Sequence, residues 1–111
     1  MIYVFLAEGF EEIEALATVD ILRRANMDVK TVSVTGSKEV TGSHDITVTA
    51  DITDRDVDYP SLEAVVLPGG MPGTLNLKAS ATVQDTIKYA FDNNKLMCAI
   101  CAAPLVFGSA G

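Results

Sequence analysis

The feature that most restricts how this chain can fold is a set of short, unbroken apolar runs, each stopped abruptly and separated from the next by stretches of helical periodicity. Ile2 to Ala7 is the first, rich in β-formers and followed at once by Glu8 and Gly9. A strand with one wet face alternates polar and apolar residues, so a run without alternation reads as a strand buried on both faces, as in a parallel sheet. Ala64 to Leu67 repeats the pattern and is stopped by Pro68, Gly69 and Gly70, and Leu96 to Ile100 repeats it before Cys101. Val29 to Val34 is interleaved with Lys30, Thr31 and Ser33 and reads as a further strand, while the Thr-Gly break within Val40 to Ala50 predicts a small peripheral hairpin.

The intervening stretches read as helices. From Glu11 to Ala25, Ile13, Leu16, Ala17 and Ile21 recur at three- and four-residue spacing and are expected to face the sheet. Acids crowd the first turn and Arg23 and Arg24 occupy the last, as the helix dipole favours. Ala81 to Asn94 is a second helix, with Val83, Ile87, Ala90 and Phe91 on one stripe, and Ala102 to Phe107 begins another. Strands alternating with helices imply right-handed crossovers and an α/β fold, a three-layer α/β/α sandwich around a parallel sheet. The 111 residues show no repeat and no second domain. An open parallel sheet normally passes its last helix on to another strand, so residues 1–111 are expected to form the N-terminal part of a longer domain.

Composition removes several function classes. Eight basic against fifteen acidic residues give a formal charge of −7, and without a basic patch the chain is not expected to bind nucleic acid. No apolar run reaches the roughly 18 to 20 residues of a membrane span, and Met1 to Ala7 lack the basic flank of a signal peptide, so no membrane partner and a cytoplasmic location are expected. Two cysteines do not make a disulfide scaffold, and in a reducing compartment each is catalytic, metal-binding or simply buried.

Cys101 stands where an apolar strand runs into a helix, at the carboxyl edge of the sheet where α/β folds gather their ligands. Small neighbours permit a tight strand-to-helix turn that lifts one side chain above the sheet, and here that side chain is a thiol. Unpaired N–H groups of Ala102 and Ala103 at the helix start would favour a thiolate. Cys98 lies inside the strand and reads as structural. As a C-x-x-C pair the two are a poor redox couple, because three residues of extended chain separate their Cα atoms by roughly 10 Å and turn the side chains to opposite faces. One cysteine pair and His44 are too few, poorly placed ligands for zinc, so no metal site is expected. The loop from Leu67 to Gly73 can bring backbone N–H groups beside Cys101, forming half an oxyanion hole, but it carries neither a dinucleotide fingerprint nor a P-loop lysine. Glu11 and Glu12 are explained by the helix dipole alone. Glu14, flanked by Ile13 and Ala15, is expected to be partly buried, where a carboxyl can stay protonated and donate to a thiolate.

Taken together, Glu-Gly-Phe-Glu-Glu-Ile-Glu from Glu8 to Glu14, Val-Asp-Ile-Leu-Arg-Arg-Ala from Val19 to Ala25, Val-Val-Leu-Pro-Gly-Gly from Val65 to Gly70 and Ala-Ile-Cys-Ala-Ala-Pro from Ala99 to Pro104 resemble the ThiJ/PfpI superfamily, in the branch of the Parkinson-disease-associated protein deglycase and its bacterial relatives. The resemblance implies a flavodoxin-like domain whose C-terminal part lies outside this chain, usually assembled as a homodimer. It implies that Cys101 is the reactive cysteine, Glu14 the acid beside it, and the amides of Gly70 and Ala102 an oxyanion pocket. No cofactor is implied. The implied activity is glyoxalase or deglycase chemistry on small reactive dicarbonyls or glycated proteins, with a role in oxidative stress. The alternatives are a redox sensor or chaperone that uses oxidation of Cys101, and a peptidase or amidotransferase-type hydrolase. The family's histidine near the cysteine is not in this segment, and His44, in the hairpin, reads as a surface residue. Ala103 stands where some members have glycine.

Overall fold

The computed structural model describes residues 1–101 and 103–109. Strands β1 (Ile2–Leu6), β2 (Val29–Ser33), β5 (Ile52–Thr53), β6 (Ala64–Leu67) and β7 (Leu96–Ala99) form one five-stranded sheet in the order β5-β2-β1-β6-β7, and every pairing in it is parallel. From β1 the chain moves outward to β2 and β5, then crosses back to place β6 and β7 on the other side. The strand order therefore reverses between β1 and β6, and the crevice outside their carboxyl ends is where a ligand site belongs.

Every residue of β1 and β6 is buried, as the unbroken apolar runs require. On one face Tyr3, Phe5, Val65 and Leu67 pack with Leu77, Val83, Ile87, Ala90 and Val106, side chains of helices α2 (Gly73–Ala79), α3 (Ala81–Asp92) and α4 (Pro104–Ser109). On the other face Ile2, Val4, Leu6 and Val66 pack with Ala15 and Val19 of helix α1 (Glu12–Arg24). The three-layer α/β/α architecture follows from this two-sided burial.

The inward face of α1 differs from expectation. Ile13 is 76% and Ile21 64% exposed, and Leu16 and Ala17 are exposed as well, whereas Glu12, Ala15 and Val19 are buried and Leu22 packs partly against the same core. The helix carries apolar residues on two faces, and the smaller Ala15 and Val19 allow the closer approach to the sheet. In α3, Val83, Thr86, Ile87 and Ala90 are buried, but Phe91, one step further round, is 71% exposed.

Several short elements escape the periodicity reading, among them α2 in the glycine-proline stretch and β5 in the acidic stretch. β5 is held to β2 partly through Asp51, whose carboxylate accepts the Thr31 N–H at 2.9 Å and pairs with Arg23 at 2.6 Å. The hairpin forms as β3 (Glu39–Thr41) and β4 (Thr47–Thr49). It is not peripheral. Its tip is hydrogen-bonded to the loop after β1.

Candidate active site

Three loops converge at the carboxyl edge, following β1, β6 and β7. Cys101 sits in the last, in a turn that precedes α4, so the helix begins later than its sequence suggests. Its backbone has φ +56°, the left-handed region that costs a non-glycine residue of order 1–3 kcal/mol. A side chain held in such a conformation on a strand-to-helix turn is the geometry of a nucleophile elbow. Cys101 is exposed, Cys98 is half-buried on β7, and both are thiols rather than halves of one disulfide.

The loop after β6 passes directly beside this turn. Gly69 donates its N–H to Glu14 Oε1 at 2.9 Å. A Cβ at Gly69 would stand 2.6 Å from Glu14 Oε1, 2.8 Å from Cys101 Cβ and 2.9 Å from the Ile100 carbonyl oxygen, so only glycine lets the acid and the elbow close on the same point. Glu14 is partly buried, as expected. Gly70 has φ +100°, and a side chain there would collide with the Glu11 amide at 2.5 Å. Among the described residues its own N–H has no acceptor. Ala102, the other half of the expected amide pair, lies outside the described residues.

Glu12 is the residue that sequence reasoning missed. It is buried, and its carboxylate accepts from the His44 N–H at 2.8 Å, the Ile46 N–H at 3.2 Å and the Ser43 hydroxyl at 3.5 Å, and pairs with His44 Nδ1 at 3.0 Å. Burial pushes this carboxyl up, but hydrogen bonds from the His44 side chain and from the amides of Glu12, His44 and Ile46 outweigh it and hold the pKa at about 2. In turn the Glu12 hydrogen bond, with the charges of Glu12, Glu11 and Asp45, raises the His44 imidazole, against the opposing effect of its own partial burial. The His44 side chain is 68% exposed, so it is a surface residue, but one tied to a buried acid. Donor atoms of Glu11, Glu12 and His44 lie within 4.8 Å of one another. Hydrogen bonding already engages them, since Glu11 Oε1 caps α1 at the Ile13 N–H at 2.8 Å and both Glu12 oxygens hold the hairpin. No local pattern could reveal this role for Glu12, because its partners lie more than thirty residues away in sequence.

The model of the DJ-1/PfpI family matches residues 1–111. The chain belongs to that family. Among DJ-1 relatives, the fruit fly (Drosophila melanogaster) protein dj-1beta is 35% identical over 108 residues, covering 97% of this chain and 58% of the fly protein. The zebrafish (Danio rerio) Parkinson disease protein 7 homolog is 34% identical over 91% of this chain and 54% of its own length. The chain thus spans little more than half of these relatives. Of solved structures, oxidized Toxoplasma gondii DJ-1 superposes with a TM-score of 0.95 at 35% identity, covering 99% of this chain and 60% of that one. The C103A mutant of the DJ-1 superfamily protein STM1931 from Salmonella typhimurium is 42% identical with a TM-score of 0.89, covering 95% of this chain and 57% of that one. These likenesses confirm the flavodoxin-like fold and the DJ-1 branch. No helix among the described residues is long and apolar enough to cross a membrane.

Proposed function

We propose that this chain carries the nucleophile half of a cysteine-dependent enzyme that acts on small reactive dicarbonyls or their adducts on glycated proteins, in a glyoxalase- or deglycase-like reaction serving oxidative-stress defence. The observation that carries the reading is the left-handed elbow at Cys101, closed against Gly69 and, through the Gly69 amide, against Glu14. In the first step the Cys101 sulfur forms a C–S bond to the carbonyl carbon as the C=O π pair moves onto oxygen. Glu14 shuttles the thiol's proton to that oxygen, and the Gly70 N–H donates to the developing alkoxide. The sum is addition of S–H across C=O, with no change in proton count.

The test is methylglyoxal consumption by the complete protein against its Cys101→Ser variant. Loss of consumption is expected, and equal rates would overturn the reading.

A redox-sensing function is favoured by a different observation, the exposure of Cys101 together with a relative whose structure is that of the oxidized form. Here peroxide takes Cys101 to sulfinic acid, and intact mass should rise by two oxygens. A protease reading draws on a relative from Bacillus subtilis named as a cysteine protease, YraA, 33% identical over 105 residues. It requires a base from outside this chain, because His44 is the only histidine and is committed to Glu12.

For the partner we infer a second copy of the chain. The outward stripe Ile13, Leu16, Ala17 and Ile21 of α1 is an exposed apolar face that a second copy would cover.

A further inference from the structure

We propose that Glu12 is a positioning residue for the Cys101 site: its buried carboxylate clamps the hairpin tip onto the loop after β1 and so holds the start of α1, and Glu14 with it, against Gly69. The inference rests on the reading of Cys101 as the reactive thiol and adds to it a residue that touches neither the thiol nor a substrate.

An acid in the first turn of a helix is ordinarily solvated, since the dipole asks nothing more of it. Glu12 is instead 3% exposed. Burial of a carboxylate is unfavourable unless its oxygens are satisfied. Here Oε2 takes two backbone amides of the hairpin tip, His44 and Ile46, while Oε1 meets His44 Nδ1 and the Ser43 hydroxyl. The hairpin is shaped around the group. A Cβ at Gly42 would stand 2.3 Å from Glu12 Cδ and 2.5 Å from Oε2.

The loop between β1 and α1 is bound on both sides. Toward the hairpin, the Gly9 N–H donates to the Thr41 carbonyl at 2.9 Å, the Ser43 N–H to the Phe10 carbonyl at 2.8 Å and the Thr41 N–H to Glu8 Oε2 at 3.2 Å. Toward the site, the Glu11 N–H donates to the Gly69 carbonyl at 2.9 Å, the Gly73 N–H to the Gly9 carbonyl at 3.1 Å, and the Gly69 N–H to Glu14. Residues 8–12 are therefore a single layer between the hairpin and the Gly69–Gly73 loop. With the exposed Glu8, the buried Glu12 fastens that layer to the hairpin through its side chain, and it does so two residues before Glu14. The charged groups around the clamp are Glu11, His44 and Asp45.

Contiguity alone does not demonstrate coupling, so the test is a double-mutant cycle. In the complete protein, the rate of Cys101 alkylation by iodoacetamide is followed against pH by peptide mass for wild type, Glu12→Gln, Glu14→Gln and the double variant. If the clamp acts through Glu14, Glu12→Gln lowers the rate at pH 7 by about tenfold and gives the pH profile of Glu14→Gln, and the double variant is no slower than Glu14→Gln alone. A wild-type profile in folded Glu12→Gln, or single effects that multiply in the double variant, overturns the inference. Should Glu12→Gln fail to fold, Gly42→Ala asks the same question. Its methyl group displaces the same carboxylate while every charge is kept, and a wild-type profile there also overturns it. A wild-type Cys101 no faster than a cysteine in a short peptide defeats the underlying reading instead, which keeps the two failures apart.

Discussion

The Gly69 amide and Glu14 Oε1 meet at 2.9 Å on the spot where a methyl group at position 69 would also strike Cys101 Cβ. Gly69→Ala is therefore expected to separate the acid from the elbow. Two of the three contacts it would violate are with the Cys101 turn, which cannot swing away as a surface side chain can. Overpacking of this kind costs about 1–3 kcal/mol. Thermal unfolding should report a lowered Tm, and Cys101 alkylation a slowed rate at neutral pH. An unchanged rate in a folded variant would separate Glu14 from the thiol's chemistry.

The Glu12–His44 pair predicts a stability window in pH. Glu12 has its folded pKa depressed from 4.5 to about 2, so its contribution is complete above about pH 4.5 and is lost as pH falls toward 2. His44 has its folded pKa raised above 6.5, so its contribution is complete below 6.5 and is lost as pH rises through the folded value. The difference in Tm between wild type and His44→Ala should be largest between those limits and shrink on either side. A difference that grows above pH 8 would show that the pair is not ionic.

Thr74 is fully buried, and among the described residues its hydroxyl finds no hydrogen-bond partner. An unsatisfied buried hydroxyl costs about 1–3 kcal/mol, and valine has nearly the same shape. Thr74→Val should raise Tm, whereas a fall would mean that the hydroxyl is satisfied in solution.

Ile13 and Ile21 stand 76% and 64% exposed on the outer stripe of α1 and contribute nothing to the core of one chain. Ile13→Glu combined with Ile21→Glu should abolish self-association in sedimentation while the circular dichroism of the fold is retained. A variant that still sediments as a dimer would place the contact elsewhere.

Much of the architecture was legible because its signals are local. Strands buried on both faces must be built from unbroken apolar runs, so β1 and β6 announce themselves. β7 carries the same apolar signal although it lies at the sheet edge with Leu96 64% exposed and the rest half-buried, and the elbow follows from placing Cys101 at the end of such a run. The stripe on α1 was legible as a stripe but not as to which way it points. Periodicity reveals that a face exists, and only the packed sheet, which admits Ala15 and Val19 at close range, selects it. The two-residue β5 and the short α2 had too few residues for any period to emerge.

By itself, then, the sequence determined the layer architecture and the place of Cys101 at the carboxyl edge of the sheet, since both depend on residue type and spacing within a few positions. The tertiary structure decided what surrounds them. Gly69 is required to be glycine because Glu14 and Cys101, 55 and 32 residues away in sequence, close on it from two sides. Glu12 is a clamp rather than a helix-dipole charge because a hairpin 32 to 34 residues further on folds its amides over the carboxylate. Burial and hydrogen-bond satisfaction are properties of contacts between distant segments, and they exist only once the chain has been brought together.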